Sequence, residues 1–367
     1  VCGCLAAGML TGCGSRNNVA DTAQEAGGAE EENTVEAVEN TEVPGEETEP
    51  VEVKIWHDGD EAIMGKIEAT VNEALKDQQI SISFEKKSGL TDQLQLYGND
   101  AANGPDLYFY AHDTLGTFVE MGIAAPISDV AGEDVFSGLL PMTVEAGTYK
   151  DVQYFMPVYF ETLLFMYNKA LWEGEVPETT EELYAYMEAH TDTGAGTYAV
   201  VNQHSTAYNV APFINGFGGA VIDKNGQPGL NLAQTIEAVE YNKKFAALQA
   251  DGDYNTVTTL FNEGKAAAII GGPWLVSGIK EAGIDLGIKS LSDFKLPNGN
   301  GLAPFSGVQG VGVLKHAVDE KKDAIAQVLK VMAGREVGEA LALGSNCAPA
   351  NMEAYANPEV EANEMII

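Results

Sequence analysis

From Val51 onward the chain alternates between two hydrophobic periods. The stretch "VEVKIWHDGDE" sets apolar against polar residues at the two-residue repeat of a strand and stops at His57-Asp58-Gly59-Asp60. Ala62 to Lys76 predicts a helix, "ISISFEKK" a second strand and "LTDQLQLYGNDA" a second helix. A third strand, "DLYFYAHD", opens after Gly104-Pro105, and the helix after it stops at Gly122. Strands and helices alternating at this spacing predict βαβ units and a mainly parallel sheet.

The pattern continues downstream. "YFMPVYFETLLFMYNKALW" is apolar and aromatic around a single mid-run charge, Glu161. Burying a carboxylate unpaired is costly, so Glu161 either pairs with a backbone donor or basic group or faces a wet cleft, and its aromatic neighbours Tyr159 and Phe160 favour the cleft. Thr179 and Glu182 form a capping box that opens a surface helix. A strand "TYAVV" leads through "NQHSTAYN" to a Gly-rich turn, and "NLAQTIEAVEYNKKFAALQADG" is a long amphipathic helix. Lys265–Ile270 is a small-residue strand that runs into Gly271-Gly272-Pro273-Trp274. "GVQGVGVLKHA" is a late strand, followed by two helices with glycine stops.

One feature recurs: an aromatic ring or a carboxylate stands just beyond a strand's carboxyl end, at Trp56, Asp58, Tyr110, Asp113, Glu161 and Trp274. Open α/β sheets place their ligand crevices at those ends. Flat rings pack on the C–H faces of sugars, and carboxylates accept strong hydrogen bonds from hydroxyls. Rings and acids with few cations suit a neutral polyhydroxyl ligand.

Composition narrows the partners. The 55 acidic residues against 20 basic ones give a formal net charge of -35, which argues against nucleic acid and against an anionic lipid surface. Cys2, Cys4 and Cys13 crowd the start of the chain, leaving Cys347 alone, so it reads as a small buried hydrophobe. His57 and His112 stand beside Asp58 and Asp113, but without compact ligand spacing they read as packed or hydrogen-bonding residues. No metal and no cofactor are implied.

The first fifty residues have another texture. "VCGCLAAGMLTGCGS" lacks a starting Met and reads as the clipped end of a secretory leader, residues 1–13. Its Leu10-Thr11-Gly12-Cys13 resembles the lipobox of bacterial lipoproteins, which implies lipidation at Cys13 and a membrane anchor outside the cell. Residues 14–50, rich in Glu, Gly, Thr and Asn, are expected to be a disordered acidic tether of roughly 35 Å as a flexible coil.

Several segments together resemble the maltose/maltodextrin-binding proteins, the extracytoplasmic sugar receptors of ABC transporters. These are "KIWHDGD", "GPDLYFYAHDTLGTFVEMGIAAPI", "MPVYFETLLFMYNKALW" and "FNEGKAAAIIGGPW", within a likeness from about Val51 to about Ala350. The resemblance implies a two-lobed, periplasmic-binding-protein-like α/β fold of type II, with a ligand cleft between lobes that close by a hinge. It implies a first lobe of residues 51–159 and 308–344 and a second of 160–304 and 345–367. Asp58, Asp60, Tyr110, Asp113 and Glu161 would contact sugar, with stacking surfaces from Tyr208 and Trp274, while Trp56 ends the first strand beside them. The family continues past "EANEMII", so the chain also reads as truncated at its C-terminus.

The expected function is that of a receptor, not an enzyme, binding a maltodextrin-type oligosaccharide and docking on permease subunits of an ABC importer. A glycoside hydrolase is the alternative, because Asp58, Asp113 and Glu161 are acids beside rings. It would need two carboxyls roughly 5–9.5 Å apart. A third reading keeps the fold and exchanges the sugar for another small solute.

Overall fold

The computed structural model describes residues 50–366, apart from 224, 225, 249 and 250. The leader, the Cys13 lipidation motif and nearly all of the expected tether lie outside the described residues.

The chain begins with β1 (Val51–His57), β2 (Ile80–Lys86) and β3 (Leu107–Ala111), joined by helices at Glu61–Leu75 and Leu90–Tyr97. Short β4 (Ala124–Ala125) and a hairpin of β5 (Thr148–Tyr149) and β6 (Val152–Gln153) precede β7 (Phe155–Thr162), which leaves the first lobe. The second lobe holds β8 (Leu164–Asn168), β9 (Tyr198–Val201), β10 (Ala266–Gly271) and β11 (Leu286–Ser290). The chain returns along β12 (Ser306–Leu314), and β13 (Ala348–Pro349) follows the helices Lys315–Met332 and Arg335–Ser345.

The first sheet runs β13-β7-β12-β3-β1-β2, with β4 also on β12, and the second runs β11-β8-β10-β9. Strand directions are more mixed than the mainly parallel sheets expected. Among the described strands, parallel pairing joins β1 to β2 and β3, and β9 to β10. The strands at the lobe junction, β7, β8, β12 and β13, all pair antiparallel. The reason is connectivity: a βαβ crossover keeps strand direction, whereas strands passing to the other lobe and back run in opposite senses.

Each lobe has its own core. Val53, Ile55, Phe109, Val311 and Val313 meet Ile67 and Val71 of the first helix and Ile325, Val328 and Leu329 of the helix Lys315–Met332. In the second lobe Phe165, Phe213, Phe245 and Phe294 form an aromatic centre. Helix starts follow the sequence: Asp60 caps Glu61–Leu75, its Oδ1 accepting from the Ala62 (2.7 Å) and Ile63 (3.2 Å) amides. The Thr179–Glu182 capping box is formed as expected.

Residues 345–367 were expected in the second lobe, yet the start of this segment joins the first-lobe sheet and core. β13 pairs with β7, and Cys347 and Ala350 are buried in the first-lobe core. Met365 alone of this segment packs against a second-lobe cluster, around Met166 and Ile269. Two residues of β13 decide the placement, because they satisfy the free edge of β7. Cys347 is buried, at 3% exposure, as a small apolar residue would be.

Candidate functional site

β7 and β12 run side by side, with Glu161 opposite Gly307 and Thr162 opposite Ser306, and the register slips between Gln309 and Gly310. At this junction lies a cavity of about 550 Å³, lined by Ala111 at the end of β3, by His112 and Asp113 just after it, and by Glu161 of β7. Ala207, Tyr208, Val221 and Trp274 come from the second lobe, and Phe305, Ser306, Gly307 and Gln309 from the returning chain. Its size falls in the range of small-molecule sites. No lysine or arginine stands among these lining residues.

Glu161 is the central acid. The Gln309 side-chain amide donates to its Oε1 at 3.1 Å, and burial pushes its carboxyl up from 4.5 to about 7. The Gln309 bond favours the charged form but is outweighed by desolvation. Asp113 is exposed on the same wall. The Val308 amide donates to Nδ1 of His112 (3.2 Å), which places the proton of the neutral ring on Nε2. Burial lowers the His112 pKa, outweighing the opposing charge of Asp113, so the ring stays neutral with one N–H.

Tyr208 neighbours two other rings that line the cavity. The Tyr208 ring centre lies 6.5 Å from that of Trp274 and 6.4 Å from that of Phe305. Burial raises the Tyr208 hydroxyl to about 12, helped by the negative charge of Glu161, so it remains a neutral donor. Trp274 needs Gly272 beside it, because a Cβ there would sit 2.0 Å from the indole.

The other expected site residues are placed differently. Trp56 is turned away from the cavity and buried at 5% exposure in a first-lobe cluster with Leu90, Leu94 and Tyr108. Its indole N–H donates to Glu85 (2.9 Å), and its ring meets the edge of Tyr97 and the Lys87 ammonium. Near the end of β1 both sheet faces are covered, so position along the strand did not tell which side Trp56 would take. Asp60 lines a smaller neighbouring cavity of about 150 Å³ that shares Trp274, and one of its oxygens is committed to the helix cap. Tyr110 and Asp58 form a pair beside the main cavity. Protein around Asp58 raises its pKa, and a hydrogen bond from the Tyr110 hydroxyl partly opposes this. His57 is fully buried against the edge of Phe84, and burial lowers its pKa. Among the described residues no cluster of three or more His, Cys, Asp or Glu is arranged to hold a metal.

Phe305 and Gln309 join the site without having been expected there, and His112, expected as a packed or hydrogen-bonding residue beside Asp113, lines it as well. Gln309 could have been read from the late strand "GVQGVGV", where it is the one polar side chain in a run of glycine and valine.

A family model described as bacterial extracellular solute-binding protein matches residues 69–366. The maltotriose-binding protein of Pyrococcus abyssi (strain GE5 / Orsay) is 31% identical over 326 residues, covering 86% of this chain and 70% of that protein. The galactooligosaccharide-binding protein of Bacillus subtilis (strain 168) is 28% identical over 301 residues, covering 78% of this chain and 69% of that one. A crystal structure of a cyclo/maltodextrin-binding protein complexed with maltotetraose matches with a TM-score of 0.75 at 24% identity, over 88% of this chain and 84% of that one. That likeness carries the two-lobed fold. This chain belongs to the bacterial extracellular solute-binding proteins, a family that binds its substrates and does not transform them.

Proposed function

We propose that the protein is the extracytoplasmic carbohydrate receptor of an ABC importer. It takes a maltose- or maltodextrin-type oligosaccharide into the cleft, closes on it by a hinge motion, and delivers it to permease subunits in the membrane. The observation that carries this reading is the cavity itself, where the rings of Tyr208 and Trp274 face a space that also holds the carboxylates of Asp113 and Glu161, without a lysine or arginine on its wall. Apolar ring faces suit the C–H faces of a sugar, and the acids suit its hydroxyls. The names of the relatives, binders of maltotriose and of galactooligosaccharide, support an oligosaccharide. In the same reading Asp58 and Tyr110 form the cleft's outer rim, and Asp60 faces ligand through its uncommitted oxygen. Lipidation at Cys13, supported by Leu10-Thr11-Gly12-Cys13, would hold the receptor at the cell surface.

Calorimetric titration with maltose, maltotriose and a β-galactooligosaccharide tests this. Saturable binding of the α-linked sugars is expected. Binding of the galactose-based sugar alone would change the ligand, and silence with all three would refute the oligosaccharide reading. Release of smaller sugars from maltotriose would instead point to a hydrolase.

A further inference from the structure

The second lobe buries a polar cluster that does not itself line the cavity. β9 ends at Val201, and the chain passes through Asn202 and His204 to the helix Ala207–Gly216, whose first turn carries Tyr208. Asn202, His204 and Asn209 of this stretch are buried, and so is Asn242 of the helix Ala233–Ala246, all at 6% exposure or less. Burying four polar side chains is costly unless each is bonded, and here each is.

The Asn242 side-chain amide donates to the His204 carbonyl (3.1 Å), which turns its oxygen toward the imidazole, 2.6 Å from Nδ1. That oxygen can only accept, so the proton of the neutral ring stands on Nδ1. Burial lowers the His204 pKa, outweighing the Asn242 bond and the charge of Asp251, and the ring stacks beside Phe245. Ser205 next to it donates from its amide (3.2 Å) and its hydroxyl to Asp251. Asn202 shares this short loop, its amide nitrogen 3.4 Å from the His204 Nδ1, and its oxygen accepts from the Asn209 side-chain amide at 2.9 Å. The clasp of His204 on Asn242 thus fixes the loop, and Asn202 carries that fix to Asn209, the residue after Tyr208.

The link matters because this helix start lacks the usual cap. Thr206 stands at the N-cap position, and its side chain bonds no helix amide. Asn209 supplies instead a side-chain hydrogen bond that ties the first turn to the lobe. The Tyr208 ring, on the cavity wall, takes its bearing from that turn.

We propose that His204 is a positioning residue: acting through Asn242, Asn202 and Asn209, it fixes the first turn of the helix Ala207–Gly216 and so the place of Tyr208 in the cavity. Its effect on ligand rests on reading the cavity as an oligosaccharide site, whereas its effect on Tyr208 does not.

Two substitutions separate this role from bulk, since an asparagine Nδ2 takes the place of the imidazole Nδ1 and a glutamine amide reaches past it. Maltotriose affinity is read by calorimetric titration well below each variant's unfolding transition. It should fall about fivefold in His204→Gln, the loss of one misplaced ring contact, and recover to within about twofold in His204→Asn. Asn209→Ala, which cuts the link at the helix and leaves His204 in place, should match His204→Gln. In a Tyr208→Ala background all three should change affinity less than about twofold, because the ring they place is gone. A second readout needs no ligand. With 3-fluorotyrosine incorporated, the Tyr208 fluorine resonance, assigned by its absence in Tyr208→Phe, should shift or broaden in His204→Gln and Asn209→Ala but not in His204→Asn. Equal losses with and without the Tyr208 ring, an asparagine variant as weak as the glutamine one, or an unmoved fluorine resonance overturns the proposal. If the unsubstituted protein binds galactose-based sugars instead, the same cycle with that ligand decides. If it binds no sugar, the oligosaccharide reading fails and the fluorine resonance decides this proposal alone.

Discussion

Replacing Glu161 by glutamine should stabilise the protein at alkaline pH while weakening its hold on sugar. Burial holds this carboxyl near 7, where an unperturbed glutamate titrates at 4.5. Below about 4.5 the side chain is protonated in both folded and unfolded chains, and it contributes nothing to the pH dependence of stability. Between 4.5 and 7 the unfolded chain gives up the proton and the folded chain keeps it, so stability falls as pH rises. Above 7 the full cost is present, at most about 3 kcal/mol, and closer to 2 kcal/mol once cavity water screens the partly accessible group. Glutamine is neutral throughout and keeps an oxygen to accept the Gln309 amide. Urea unfolding of both proteins from pH 4.5 to 8.5 should therefore give equal stabilities at the acid end. Glu161→Gln should be ahead by about 2 kcal/mol at the alkaline end. A pH-independent difference would refute the reasoning, because it would mean that Glu161 keeps its ordinary titration in the fold. Sugar affinity should move the other way, since a neutral amide accepts weaker hydrogen bonds from hydroxyls than a carboxylate does.

Two further substitutions separate the cavity from the core. Gly272→Ala should displace the Trp274 ring, because the added carbon would lie 2.0 Å from it, and weaken sugar binding at least tenfold, as read by calorimetric titration. Trp56→Phe should leave sugar affinity unchanged and lower stability by about 1 kcal/mol through loss of the hydrogen bond to Glu85, as measured by urea unfolding.

The fold was largely legible, because its strands and helix caps carry local signals. Thr179 announces its helix through spacing with Glu182 and caps as expected, whereas Asp60, expected only at the ligand, also caps the first helix. Glu161 was legible for a similar reason: a lone charge in an apolar run must meet water or a partner, and it meets both a cavity and Gln309. Trp56 and Asp113 both stand at strand ends, yet only Asp113 reaches the main cavity. Sequence shows where a strand stops, but not which face its last side chain takes when both faces are covered. Phe305 was hidden because its neighbours in space, Thr162 and Tyr208, are distant in the chain. The lobe assignment after Ser345 failed for the same reason, since pairing of two residues with β7 fixes it and leaves no periodic signature.

The interleaving of the first sheet bears on how the molecule is made. The second lobe's main core draws on one continuous stretch, Leu163 to Leu302, and can assemble as soon as that stretch has left the ribosome. The first lobe is begun earlier and finished later. Its β3 and β7 must wait for β12, and β7 for β13 as well, so their edges stand unpaired while the rest of the chain is synthesised. Until then the half-built sheet exposes strand edges open to pairing with other chains. The lobe that starts the protein is therefore the one whose nascent form most needs a chaperone.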